Sequence, residues 1–575
     1  MAQRVVVDPM TRIEGHMRIQ TILGNDNTIQ DASSTSALFR GLEIILRDRD
    51  PREAWQIAER ICGVCTLVHA MTSVRAVENA LGIRVPANAN TIRNILMATL
   101  FIHDHIVHFY HLHGLDWIDI VSALKADPRG TAELAQKISS WPDSSVGYFT
   151  DIQNRIKAFV ESGQLGIFAN AYWGHPGYKL PPEANLLGVA HYIEALGWQK
   201  EIVKIHAVFA GKNPHPNLLV GGVPCAINPH NIDAINTERL SLVKSKIDEA
   251  EAVVEQMYIP DVLAIASFYK DWTQWGKGLS ATSVMDYGEF PEVSGDLSTN
   301  RWKGGAITDG NMGEVHPIDL ADPEQIQEFV SYSWYKYKEG DQVGLHPWAG
   351  ETDPKYTGAK PPYDFLEMDQ KYSWMKAPRW RGRPMEGGPL ARTILALAHK
   401  DEAVQADVDE SLKQLGVPIE AVYSTIGRVL ARALEARRAM RMLKDQYAML
   451  VNNIKSGDYQ TADTTKWEPS TWPATELRGY GTYAAPRGAL AHWVVVKDRK
   501  IANYQAVVAT TWNGSPKDAM GQHGPIEAAL IGVPIKEPQK PLEILRVVHS
   551  FDPCLACSTH LLDMRGEEIA RVEVK

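Results

Sequence analysis

Two short cysteine pairs, Cys62-Gly-Val-Cys65 and Cys554-Leu-Ala-Cys557, stand near opposite ends of a 575-residue chain and hold four of its five cysteines. Two thiols three positions apart, at a helix start or a tight turn, can face one ion. If both pairs serve one site, the chain ends must meet, and the site exists only when the whole fold does. Four soft sulfurs suit a structural zinc ion, a single iron or iron–sulfur cluster, or a catalytic transition metal. Each pair alone could instead be a redox dithiol. Zinc staples mostly use pairs closer in sequence, in domains too small to bury a core, and this chain is far above that size. Spacing by itself leaves these readings open.

Composition removes other classes. Five cysteines in a chain of this length are not a disulfide framework. Cys225, between Pro224 and Ala226, reads as a small buried hydrophobe. The net charge of −10 provides no basic footprint, so no nucleic-acid partner is expected. No apolar run reaches the length of a membrane span, and the first residues lack the apolar stretch of a secretory signal. The sixteen tryptophans call for deep packing or a large interface.

Alternation predicts strands over 4–7 and 16–21. Helical patterns cover 34–48, 52–61, 66–81, 88–113, 186–211, 236–257 and 417–452. The 88–113 segment carries His103, His105, His108, His111 and His113. Asp104, His108 and His111 share one helical face there, and packed histidines are the expectation, ahead of a second metal site. A hairpin is expected over 492–510, around Lys497-Asp498-Arg499. The Gly/Pro/Trp-rich stretches 281–325, 340–382 and 454–490 read as ordered loops and short strands. With no repeat and no linker, the expectation is a mainly α fold with peripheral β (α+β), one large domain over 1–560.

The local sequence around the pairs is more specific. The first lies in Arg60-Ile61-Cys62-Gly63-Val64-Cys65-Thr66-Leu67-Val68-His69. The second lies in Asp552-Pro553-Cys554-Leu555-Ala556-Cys557-Ser558-Thr559-His560. Between and before them come Arg12-Ile13-Glu14-Gly15-His16, Phe39-Arg40-Gly41-Leu42-Glu43, His103-Asp104-His105, His215-Pro216-Asn217 with Gly221-Gly222-Val223, and Ala485-Pro486-Arg487-Gly488. In this order, and over nearly the whole chain, these runs resemble the motifs of nickel–iron hydrogenase large subunits.

That resemblance implies a reversible heterolytic cleavage of H2 and a role for each matching residue. Cys62 and Cys554 would be terminal nickel ligands, while Cys65 and Cys557 would bridge nickel to an iron carrying carbon monoxide and cyanide. Arg487 would lie over the open side of the metals, held by Asp104 and Asp552, with Pro486 and Thr510 around the diatomic ligands. Glu14 would relay protons and His69 would hydrogen-bond a bridging sulfur. His215 would support the local loop. Glu43 and His560 would hold a magnesium ion, joined by a carbonyl of the 506–510 strand. The tail 561–575 would be removed by a maturation protease once nickel- and iron-inserting proteins had acted.

With all four paired cysteines committed, electrons need an iron–sulfur small subunit. The membrane-bound uptake type, which the sequence resembles most, adds a b-type cytochrome, quinone as acceptor, and export to the periplasmic side with the small subunit. Two alternatives stand beside this reading. One is a structural zinc scaffold. The other is a relative of the quinone-site subunits of respiratory complex I, which lack the full cysteine set.

Overall fold

The computed structural model describes residues 3–163, 166–168, 171–359 and 365–555. Helices form the centre and small antiparallel sheets its periphery. At the centre, Ala87–Val107 packs along Thr425–Lys455. Ala87–Val107 is buried on nearly every face, as its all-round apolar pattern requires. The Thr425–Lys455 helix starts where the Ser424 side chain accepts a bond from the Gly427 amide. It therefore begins later than the expected 417, after a 3-10 turn at Ile419–Val422.

Among the described residues, no helix is long and apolar enough to cross a membrane. The 88–113 pattern continues past Val107 as a π-helical turn over His108–His113. The wider turn redirects the histidines away from one common face. Pro182–Ile202 with Lys204–Ala210, and Thr237–Val253 with a π-turn at Val254–Tyr258, match the other long expectations.

The N-terminal strands Gln3–Val7 and Met17–Leu23 are present, joined by a third, Ile29–Ser36, in an antiparallel meander. The helix expected over 34–48 shrinks to Leu42–Ile45. Pairing of Ser33–Ser36 with Met17–Gln20 claims the start of that segment for the sheet, a tertiary choice that outweighs local periodicity.

The second meander carries the site. Leu477–Ala485, Gly488–Lys497 and Lys500–Val507 pair in sequence order. The expected hairpin turns at Asp498 and Arg499, both with φ near +60° (52° and 64°), as two-residue turns between twisted strands prefer. The strand Leu477–Ala485 lies in a stretch expected to hold ordered loops and short strands. It rests on the Val68–Leu81 helix through Gly479 and Gly481, where an added Cβ would come within 2.3 Å of Ala76 O and 2.2 Å of Thr72 O. This close approach locks the helix that follows Cys65 to the strand that leads to Arg487.

Candidate metal centre

Cys62 and Cys65 occupy the turn between the helices Ala54–Glu59 and Val68–Leu81. The turn aims the amides of Val64 and Cys65 at Cys62 Sγ, at 3.3 and 3.4 Å. Backbone N–H donors at this range favour the thiolate over the thiol. Cys554 arrives from the other end, after the helix Leu542–Ser550. Its segment pairs with the N-terminal stretch, Leu555 N donating to Glu14 O at 2.8 Å and Glu14 N to Pro553 O at 3.4 Å. Cys554 Sγ then lies 3.4 Å from Cys62 Sγ and 3.9 Å from Cys65 Sγ. The three buried sulfurs all lie within 4.8 Å of one another. Cys554 thus shares one site with the first pair. Cys557, His560 and the tail 561–575 lie outside the described residues.

Two charged groups border the sulfurs. Glu14 is half-buried, with Oε2 3.1 Å from Cys554 Sγ. Arg487 sits at the tip of the tight hairpin that closes with the pair Ala485 and Gly488. Proline at 486 presets the backbone for such a turn. Arg487 Nη1 donates to Asp104 Oδ2 at 2.9 Å, and Nη2 lies 3.1 Å from Asp552 Oδ1. Burial opposes the guanidinium charge, but Asp552, Asp104 and the thiols of Cys554 and Cys65 together hold it protonated. For Asp552 burial outweighs the attraction of Arg487 and Arg432, and its pKa is raised.

Thr510 Oγ1 accepts the Cys554 amide at 3.0 Å. With Val508, Ala509, Ala485, Leu490, His69 and Arg487, it lines a small cavity against Cys65 and Cys554. The Pro486 carbonyl faces away from this space, toward Arg392 Nη2 at 3.3 Å. His69 Nδ1 lies 3.0 Å from His492 Nε2, and burial pushes the His69 imidazole down to about 4.

The long helix fixes this arrangement from behind. Arg428, Arg432 and Glu435 recur on one face of Thr425–Lys455. Glu435 binds Arg392 bidentately at 2.6 and 2.7 Å and His105 Nε2 at 2.9 Å. Arg392 in turn holds the carbonyls of Ala485 and Pro486, and Arg432 holds that of Ser550. Sequence reasoning missed these residues. Charges at helical spacing on an otherwise apolar face are the signal that could have found them.

The histidine run is packing, as expected. His108 Nε2 bonds His549 O at 2.7 Å and His111 Nε2 bonds Tyr192 O at 3.1 Å. His113, Asp116 and His549 do cluster, but Arg12 is paired with the Asp116 carboxylate and supplies the positive charge there. His215 stands over the first cysteine turn, its backbone amide donating to the Thr66 hydroxyl. Cys225 is half-buried, and burial raises its thiol to about 12, which leaves it unreactive.

Glu43 lies in a separate pocket with Glu328, Thr352 and Lys376. Its Oε1 accepts the Ala506 amide at 3.0 Å and its Oε2 accepts the Thr352 hydroxyl. Lys376 Nζ lies 3.8 Å from Glu43 and 3.3 Å from Glu328.

A closed zinc site leaves no room beside its sulfurs. Here the sulfurs border empty space, and Arg487 Nε and His69 Nε2 are buried without partners among the described residues. That donor set fits a thiolate-held group bearing hydrogen-bond acceptors.

Comparison with known proteins agrees with this geometry. The profile of the family described as nickel-dependent hydrogenase matches residues 40–560, and a HoxL-like profile matches 4–35. The chain is 57% identical to the uptake hydrogenase large subunit of Rhizobium leguminosarum bv. viciae, covering 100% of this chain and 98% of that one. It is 55% identical to the hydrogenase-1 large chain of Escherichia coli (strain K12), covering 100% and 97%. Among solved structures, the Ni-Fe-Se hydrogenase of D. vulgaris Hildenborough in the reduced state superposes with a TM-score of 0.74 at 30% identity, covering 97% of this chain and 100% of that one. That of Desulfomicrobium baculatum gives 0.73 at 29% identity, with the same coverage. The chain belongs to the nickel-dependent hydrogenase family and is a large catalytic subunit of the uptake type.

Proposed function

We propose that this subunit takes up H2 and passes its electrons to an iron–sulfur small subunit, then through a b-type cytochrome to quinone, on the periplasmic face of a membrane. The observation that carries this reading is the convergence of Cys62, Cys65 and Cys554 within 4.8 Å, beside Glu14 and Arg487. Cys557 would complete the ligand set, and Cys62, Cys65, Cys554 and Cys557 together would hold the nickel–iron group, with Cys65 and Cys557 shared with the iron. When bound, the nickel–iron group, with carbon monoxide and cyanide on iron, supplies the redox capacity and Lewis acidity for heterolytic cleavage.

The chain's own residues orient the substrate and carry the proton. Arg487, held protonated between Asp104 and Asp552, is a fixed positive charge at the open space and does not serve as a base. Thr510 accepts the Cys554 amide and keeps its own O–H to donate toward a cyanide ligand, next to Pro486. Cys554 Sγ takes the proton and Glu14 Oε2, 3.1 Å away, receives it and carries it toward the exposed edge.

Magnesium binds at Glu43 with His560. Glu43 offers carboxylate oxygens, which suit a hard cation. The segment 1–560 works as one domain. A maturation protease cuts after His560 once the nickel- and iron-inserting proteins have acted, which lets Cys554 and Cys557 close over the metals.

The test is metal analysis of the purified complex together with H2-dependent reduction of a quinone analogue. Nickel and iron together with quinone reduction are expected. Zinc in their place, or electron delivery to a soluble nicotinamide cofactor and not to quinone, would overturn the reading.

A further inference from the structure

Three buried rings lead away from the sulfur cluster. His69 Nδ1 lies 3.0 Å from His492 Nε2, and His492 Nδ1 lies 2.6 Å from the Tyr504 hydroxyl. His69 belongs to the helix that follows Cys65, while His492 and Tyr504 lie on adjacent paired strands. The imidazoles stack with centroids 5.2 Å apart, and the phenol meets His492 edge-on at 5.4 Å. All three side chains are at most 1% exposed. At one end of the chain His69 lines the cavity of Cys65 and Cys554. At the other, Tyr504 lines the cavity of Glu43.

A hydrogen bond between two ring nitrogens needs a proton on one and a lone pair on the other, so the two tautomers are interdependent. With neutral imidazoles only two arrangements exist. In one, Tyr504 O–H donates to His492 Nδ1, His492 Nε2–H donates to His69 Nδ1, and His69 keeps its Nε2–H, which has no partner among the described residues, for the cavity it lines with Cys65 and Cys554. In the other every bond is reversed, and His69 brings a bare Nε2 lone pair to that thiolate-lined cavity. Lone pair against thiolate is repulsive, whereas N–H against thiolate is a charge-assisted hydrogen bond. The sulfur end therefore selects the first arrangement.

We propose that His492 and Tyr504 are positioning residues: they lock His69 in its Nε2–H tautomer and aim that N–H at the thiolates of the metal centre. The proposal rests on the reading that these cysteines hold the metals as thiolates. An N–H donor withdraws charge from a metal thiolate and favours the reduced metal. Loss of the lock lowers the nickel midpoint potential.

Neutron diffraction from the deuterated holoenzyme reads the lock without any substitution. The expected result is deuterium on Nε2 of both histidines, with the Tyr504 O–D directed at His492. Deuterium on Nδ1 of either histidine would overturn the proposal. EPR-monitored redox titration supplies the second readout. His492→Leu lowers the nickel midpoint potential and reduces turnover by roughly 10–100-fold. His492→Gln, which keeps an N–H donor for His69, stays near the parent, and Tyr504→Phe falls between. A folded His492→Leu enzyme with the parental potential would refute the lock. If the same crystals lacked nickel at the sulfurs, the functional reading would fail instead, while the ring protonation would still be read from the nuclear density.

Discussion

Cys554 Sγ and Glu14 Oε2 lie 3.1 Å apart although 540 positions separate them in the chain. The short pairing of Leu555 with Glu14 and of Glu14 with Pro553 makes that contact, so the thiol and the carboxylate are positioned by the same few hydrogen bonds. On the proposed proton route, the buried thiol passes its proton to the half-buried carboxylate with no other group between them.

Glu14→Gln keeps the shape and the backbone pairing but removes the group that takes the proton. H2 uptake is expected to fall by roughly 10²-fold or more, the range for a positioned acid or base, with nickel content unchanged. Parental turnover in a stopped assay of the purified variant would take Glu14 out of the proton route.

Arg487→Lys retains one positive charge but cannot reach both Asp104 and Asp552 with a planar fork. Turnover should drop by about 10²–10³-fold, as for loss of a preorganised electrostatic donor. Asp104→Asn and Asp552→Asn should each give smaller losses, and their combination with Arg487→Lys should be less than additive. Fully additive effects would show that the carboxylates do not act through Arg487.

Glu435→Gln breaks a buried network that also holds the backbone at Ala485 and Pro486 through Arg392. Removing one partner of a buried pair typically costs about 3–5 kcal/mol. Thermal melting should show that loss, and turnover should fall with it because the hairpin tip carrying Arg487 shifts. Unchanged melting would mean that the network adds nothing to the hairpin's position.

Burial holds the His111 imidazole down at about 4, against 6.5 for a free histidine. Below pH 6.5 the unfolded chain takes up this proton and the folded chain does not until about pH 4, so the folded state loses stability as pH falls through that window. His111→Gln, which still donates to Tyr192 O, lacks this liability. Relative to the parent, the variant should gain up to about 3 kcal/mol between pH 6.5 and 4, read from denaturant melts at each pH. A difference independent of pH would refute the assignment.

Local pattern made much of this molecule legible. The strands at Gln3–Val7 and Met17–Leu23, the helix Val68–Leu81 and the hairpin turning at Asp498 all follow from periodicity and turn chemistry. The cysteine pairs and the residues around them marked the site. Choices made by distant partners were not legible. Ser33–Ser36 joined a sheet because Met17–Gln20 offered it an edge. The pairing of Arg487 with Asp104 and Asp552 followed from the motifs that carry them; the pairs Arg392 with Glu435 and His69 with His492 join residues far apart in sequence, and only the fold brings them together.

Anomalous diffraction at the nickel absorption edge, recorded from the mature holoenzyme, tests the central claim most directly. A single nickel peak bonded to the sulfurs of Cys62, Cys65, Cys554 and Cys557, with iron beside it at Cys65 and Cys557, is expected. A peak at the zinc edge alone, or nickel bound away from Cys554, would contradict the account.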